Sequence, residues 1–272
     1  MSVIANAFTA VGAVFTSVAS SYDTMNDLMS LYTHRLWKDR FVRSLNPGVR
    51  QLSSSPSEGQ RILDIAGGTG DIALRLLDHA THINNDTKTT VTISDINPDM
   101  LSAGRARLSS TPYATAGRLD YLEANAEDLS AIETNSIDLY TVAFGIRNFT
   151  SIPRTLSEAY RVLRPGGVFA CLEFSKVGNP LLNAAYKRWS FGAIPLIGQL
   201  VAGDRDSYQY LVESIERFPS QKAFQRLIQE AGFVVPRGRA EVGDDDGEGD
   251  GGGWENLMGG IACIHKGVKP VK

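Results

Sequence analysis

Residues 61–71 read Arg-Ile-Leu-Asp-Ile-Ala-Gly-Gly-Thr-Gly-Asp. Ile62, Leu63 and Ile65 make a short apolar run that suits a buried parallel strand. Gly67, Gly68 and Gly70 then give a loop without side chains to obstruct a ligand. Ile72, Ala73, Leu74, Leu76 and Leu77 continue at helical spacing. Strand, glycine loop and helix in that order predict a nucleotide-type pocket at the carboxyl end of a parallel sheet.

The spacing alone does not choose the ligand, because Gly68, Gly70 and Ala73 also satisfy a dinucleotide pattern. The flanking acids weigh in. Asp64 precedes the loop and Asp71 follows its last glycine. A pyrophosphate wants the positive end of the helix, where Asp71 would repel it. S-adenosylmethionine has no phosphate; its sulfonium and ammonium are both cationic, so carboxylates attract it. The sign of the charge therefore favours a methyl-donor site over NAD. Asp95 ends a second expected strand, over 90–95, and an acid there can accept both ribose hydroxyls of either ligand. The competing reading is that Asp95 only caps the helix starting at Asn97-Pro98-Asp99.

A chain of 272 residues fits one large α/β domain with additions. At 43% hydrophobic it can build a core but is too dilute for a multi-span membrane protein, and a net charge of −3 argues against a nucleic-acid partner. Cys171 and Cys263 sit in apolar runs and read as inert buried thiols in a reducing compartment. The four histidines show no metal spacing with cysteine, so no metal site is expected. No Lys or Arg precedes Arg35, which reads as neither a signal peptide nor a mitochondrial presequence.

Residues 15–45 carry apolar side chains at helical spacing, and 1–58 reads as an N-terminal helical lid segment over the pocket mouth. Residues 59–272 form the main domain. Expected strands lie at 61–66, 90–95, 119–123, 137–143 and 167–174, with helices near 71–80, 98–109 and 151–163 between them. This alternation implies a doubly wound parallel sheet. Residues 180–233 read as a helical cover, either a plain layer over the sheet or a surface that admits a greasy substrate. Residues 243–253 are glycine and acid only; they should be disordered, a calcium loop being the weaker alternative. The run 260–265 looks like a final strand, so the acidic stretch would join the two closing strands.

Asp64 to Asp71, Asp95 and the late strand pair together resemble a class I S-adenosylmethionine-dependent methyltransferase: α/β, Rossmann-like, a mostly parallel seven-stranded sheet with helices on both faces, here with the N-terminal lid and a helical insertion. The segments Phe15 to Asp23, Met25 to Ser30, Ala143-Phe144-Gly145-Ile146-Arg147-Asn148, Tyr160 to Gly167, Leu172 to Lys176 and Asp204 to Leu211 resemble the ubiquinone/menaquinone biosynthesis C-methyltransferases. The agreement covers about residues 15–235 and 255–270; the acidic glycine run departs from the family pattern. The resemblance implies methylation of a ring carbon of a polyprenyl benzoquinol in coenzyme Q biosynthesis, with demethylmenaquinol or another apolar phenol as alternative acceptors and a scaffold subunit as a non-catalytic alternative. It also implies a mitochondrial location at the matrix side of the inner membrane, peripheral membrane contact, membership of a multi-subunit complex and a possible homodimer.

For the donor site the resemblance points to Thr69, Asp95, Asn125 and Ala126, which join Asp64, Gly68 and Gly70 from the loop itself. Asn125 and the next backbone amide follow the third strand, where an adenine edge could be read by hydrogen bonds; a turn residue is the competing reading. Carbon methylation needs an activated phenol. Arg147, just past the fourth strand, could stabilise a phenolate but is a poor base, and a structural ion pair is its alternative. Tyr22 from the lid and Asp204 are further candidate contacts. Residues 181–202, with Lys187, Arg188 and Trp189, read as the membrane-facing surface.

Overall fold

The computed structural model describes residues 33–49, 59–188, 212–236 and 253–271. The first five strands are β1 (Arg61–Ile65), β2 (Thr90–Asp95), β3 (Leu119–Glu123), β4 (Ile137–Ala143) and β5 (Leu163–Phe174). β6 (Trp254–Leu257) and β7 (Ala262–Val268) close the chain. The helices are α1 (Thr33–Leu45), α2 (Asp71–His82), α3 (Pro98–Leu108), α4 (Pro112–Thr115), α5 (Ile152–Val162), α6 (Pro180–Arg188) and α7 (Gln221–Glu230), with a further helical turn over 212–217.

The seven strands form one sheet in the order β3-β2-β1-β4-β5-β7-β6. The first five are parallel; β7 runs antiparallel to β5, and β6 antiparallel to β7. The chain order reverses between β1 and β4, and ligands of open α/β sheets bind in the crevice beyond such a reversal. The register brings the strand ends level: Ile65 pairs with Ser94 and Val142, Asp95 with Glu123, and Ala143 with Leu172.

Each face of the sheet buries its own apolar cluster. One joins Trp37 and Phe41 of α1 and Leu76 and Leu77 of α2 to Ile62, Val91 and Ile93. The other joins Leu156 and Ala159 of α5 and Phe224 and Ile228 of α7 to Tyr140 and Phe169. β4, covered on both sides, is buried along nearly its whole length, as a central parallel strand must be. Cys171 and Cys263 are free and buried, and burial pushes both thiols up, which fits inert core residues.

Two expectations change. β5 begins at Leu163 rather than 167, because Gly166 (φ 80) lets the Arg164–Gly167 turn enter the strand as an irregularity, with a register shift opposite Ile137 and Leu139. The acidic run does not join the closing strands. β6 and β7 are linked directly by the tight turn Met258–Gly260, where Gly259 (φ 68) and Gly260 (φ 97) supply left-handed backbone, and the run precedes both strands. Residues 243–252 of the run lie outside the described residues, as do Tyr22, Asp204, Trp189 and most of the expected lid. Among the described residues no helix is long and apolar enough to cross a membrane, and no cluster of metal-ligating side chains occurs.

Candidate active site

The loop after β1 folds tightly because its glycines permit it. Gly68 (φ 52) and Gly70 (φ 82) are left-handed, and the Gly70 amide donates to the Gly67 carbonyl at 2.8 Å. A Cβ on Gly70 would lie 2.5 Å from Leu108 Cδ1, so the loop also needs the bare backbone for packing. The Gly67 amide donates to the Ser94 carbonyl at 3.0 Å, and the Gly68 amide to Asp95 Oδ2 at 3.0 Å, which ties the loop to the tip of β2. α2 then starts after Gly70, which offers no side chain to cap its first amides.

Asp95 is not the cap of α3. Asn97 does that work, its Oδ1 accepting from the Asp99 and Met100 amides, with Pro98 in the first turn. Asp95 accepts from three amides, Gly68 on Oδ2, Asn97 on Oδ1, and Ile96. A carboxylate offers about four acceptor sites, so capacity remains for a further donor such as a ribose hydroxyl. Burial raises the Asp95 carboxyl above its ordinary range, and the amides only partly offset this.

Asp64 lies opposite Thr141 in the β1–β4 register, so both side chains fall on one face. Thr141 Oγ1 donates to Asp64 Oδ1 at 2.7 Å. Asp64 Oδ2 is buried and has no partner among the described residues; it lies under the loop, 3.0 Å from where a Gly67 Cβ would sit. Burial pushes this carboxyl up to about 7 despite the threonine. An orphaned buried acid facing a glycine loop wants a cation or a donor.

Asp71 corrects the charge argument. Its carboxylate is engaged by Lys38 Nζ at 2.8 Å, Arg75 Nε at 3.3 Å and Arg107 Nη2 at 3.8 Å. Burial works to raise its carboxyl, but these cations outweigh it and hold Asp71 below the usual range. Its charge is met inside the fold by these three cations, which leaves Asp64 and Asp95 as the acids of this region without a cationic partner at hydrogen-bond distance among the described residues. Thr69 accepts from Arg107 Nη1 at 3.2 Å.

The remaining candidates divide. Asn125 accepts the Glu127 amide on Oδ1 at 2.9 Å, and its carbonyl accepts from the Asp128 amide, so it does form the turn that was its competing reading. Ala124 hydrogen-bonds the Asp95 carbonyl, which holds this turn beside the tip of β2, and Ala126 is buried in the second core. Arg147 sits in the short helix Ile146–Asn148 past β4. Its Nη1 donates to Glu173 Oε1 at 2.7 Å and to the Phe144 carbonyl at 2.6 Å, and its Nε to Ser214 Oγ at 3.3 Å. Arg147 and Glu173 are both buried, with side-chain exposures of 4% and 1%. The ion pair read as the alternative is thus present, and it fixes the turn at Phe144, a non-glycine residue at φ 57. Gly145 approaches the β1 turn so closely that a Cβ would lie 2.5 Å from Ala66 Cβ.

Sequence reasoning missed Lys38, Thr141 and Glu173. Thr141 becomes visible only once the β1–β4 pairing is known, and Lys38 lies 33 residues from the carboxylate it meets.

A profile of the ubiE/COQ5 methyltransferase family matches residues 3–269. The chain belongs to the ubiE/COQ5 methyltransferase family. It is 54% identical over 94% of its length to the 2-methoxy-6-polyprenyl-1,4-benzoquinol methylase, mitochondrial, of Schizosaccharomyces pombe, covering 78% of that protein. The identity is 47% to the ubiquinone/menaquinone biosynthesis C-methyltransferase UbiE of Brucella suis, over 95% of this chain and 85% of that one. Among solved structures, the putative methyltransferase in the Haloferax volcanii Trm112 complex superposes with TM-score 0.57 at 17% identity, covering 94% of this chain and 98% of that one, a likeness of fold. A ubiE/COQ5 enzyme is a C-methyltransferase with S-adenosylmethionine as methyl donor. The residues present fit that donor: Asp95 offers spare acceptor capacity, Asp64 an unpartnered buried oxygen, and the glycine loop an unobstructed backbone.

Proposed function

We propose that this enzyme methylates a ring carbon of a polyprenyl benzoquinol, of the 2-methoxy-6-polyprenyl-1,4-benzoquinol kind, in ubiquinone biosynthesis. The observation that carries the reading is the 54% identity across nearly the whole chain to a protein of that name. Bound S-adenosylmethionine supplies an electrophilic methyl group on sulfur. In this reading Asp95 accepts from the ribose hydroxyls, Asp64 Oδ2 faces the ammonium group, and the Gly68–Gly70 loop with Thr69 borders the donor. Asn125 offers its amide side chain, and Ala126 its backbone, to the adenine edge. Arg147, held by Glu173 and Ser214, acts by fixing the β4 turn beside the reacting atoms and by directing its guanidinium dipole, rather than a free charge, toward a developing phenolate. Tyr22 and Asp204 supply contacts to the acceptor from the two flanking segments.

The polyprenyl tail calls for an apolar entrance. Leu181 at the start of α6 is 82% exposed and Met258, in the β6–β7 turn, 55% exposed; these support an acceptor that enters from a membrane over residues 181–202. Mitochondrial relatives support a mitochondrial location. The finer assignment, a peripheral protein on the matrix side of the inner membrane within a multi-subunit complex and as a homodimer, belongs to the same proposal.

The test is a two-part assay on purified full-length chain. Calorimetry should find S-adenosylmethionine binding and no NADH binding. Incubation with a short-tailed methoxy-benzoquinol should then give a ring-methylated product. Methylation of demethylmenaquinol alone would move the assignment to the second acceptor, and donor binding without any transfer would favour a scaffold.

A further inference from the structure

Three helices meet at one carboxylate beside the donor loop. Asp71 is the first residue of α2. From α1, Lys38 reaches it at 2.8 Å although that lysine is only 7% exposed. From α2 itself, Arg75 binds Asp71 and also pairs with Asp39 of α1. From the end of α3, Arg107 approaches Asp71 at 3.8 Å and donates to Thr69 in the loop. Lys38, Asp71, Arg75 and Asp39 thus alternate in sign across the α1–α2 seam.

Neutralising Asp71 does not require Lys38, since two guanidiniums already face it. Burying an ammonium carries a desolvation cost that an exposed arginine avoids. What Lys38 adds is a short, directional bond between α1 and the first turn of α2, one residue past the left-handed Gly70. The neighbouring Trp37 packs the other way, 6.3 Å from Phe144 and 6.1 Å from Phe174 between ring centroids. The same turn of α1 therefore touches the first residue of α2 and the turn after β4.

We propose that Lys38 is a positioning residue for the methyl donor: through Asp71 it sets the first turn of α2 and the Gly68–Gly70 loop, and so tunes donor affinity without touching the donor. The proposal rests on the reading of this loop as the donor site. Folding should survive its removal, because Arg75 and Arg107 still face Asp71 and the Arg75–Asp39 pair still bridges α1 and α2.

The experiment is calorimetry of S-adenosylhomocysteine on the full-length wild type, Lys38→Met, Lys38→Arg, Asp71→Asn and the double variant Lys38→Met/Asp71→Asn, with melting temperatures alongside. Lys38→Met should weaken binding about tenfold, or about 1.4 kcal/mol, while Lys38→Arg stays within about threefold of wild type. In the Asp71→Asn background, Lys38→Met should cause no further loss, since the two act as one unit. Binding by Lys38→Met within twofold of wild type overturns the proposal. So does an undiminished loss in the Asp71→Asn background, or a loss in both Lys38 variants that tracks a lowered melting temperature. A wild type that does not bind the ligand at all overturns the donor-site reading itself, and the role of Lys38 goes with it.

Discussion

Asp64 is a buried acid directly beneath the glycine loop. Its carboxyl is pushed from 3.8 to about 7 by burial. The folded state therefore holds a proton that the unfolded chain has released, so stability falls as pH rises from about 4 to 7, by up to about 4 kcal/mol. A cationic group at Oδ2 favours the ionised form, so donor binding should expel a proton. Donor affinity, measured calorimetrically, should then rise as pH goes from about 5.5 to 7, where the donor's own amino group stays protonated. Asp64→Asn should flatten that profile and remove the loss of stability. Arg147 gives a second residue-scale test. Arg147→Ala leaves Glu173 buried without its cation and should cost about 3–5 kcal/mol by denaturant unfolding. Arg147→Met/Glu173→Leu removes both charges and should recover most of that stability, while turnover stays down about a hundredfold and donor binding holds within about threefold. Full turnover in the double variant would take Arg147 out of the reaction.

At the scale of elements, the site is a meeting of two turns. The β1 and β4 turns touch at Ala66 and Gly145, both shaped by close packing, and Ala66 itself stands at φ 51. Gly145→Ala inserts a methyl 2.5 Å from Ala66 Cβ and should force the turns apart. We expect a loss of about 1–3 kcal/mol in stability together with at least tenfold weaker donor binding; unchanged binding would mean the turns move independently. The tight loop Gly67 to Gly70 and the acid at the tip of β2 were legible in the sequence because they depend on local backbone and neighbouring strand tips. The role of Asp71 could not be read that way. Arg75 lies one turn on in the same helix, but Lys38 and Arg107 come from α1 and α3, and no local pattern reveals that three cations converge on one acid. Asn125 shows the same limit, since its side chain serves a turn whose anchor is the Asp95 carbonyl on another strand.

At the scale of the whole molecule, the sheet presents its parallel strand ends on one edge, and the proposed acceptor path lies over α6 and the chain that follows it. If Trp189 and Phe191 dock on a bilayer, Trp189→Ser/Phe191→Ser should lower liposome co-flotation severalfold while calorimetric donor binding holds at the wild-type value. Equal flotation would move the membrane surface elsewhere on the fold. The acidic run precedes β6 and lies outside the β6–β7 turn, so its length does not enter the register that fixes β6 against β7.

The alternation of apolar runs and glycine loops by itself determined the parallel sheet and the place of the glycine loop at the end of β1, because strand burial, loop chirality and helix starts are local in the chain. Only the tertiary structure decided which charges stay available to a ligand. Asp71 is quenched by Lys38, Arg75 and Arg107, Arg147 is locked to Glu173, and Asp64 is left with a bare oxygen, since ion pairing depends on side chains that folding brings together from distant segments.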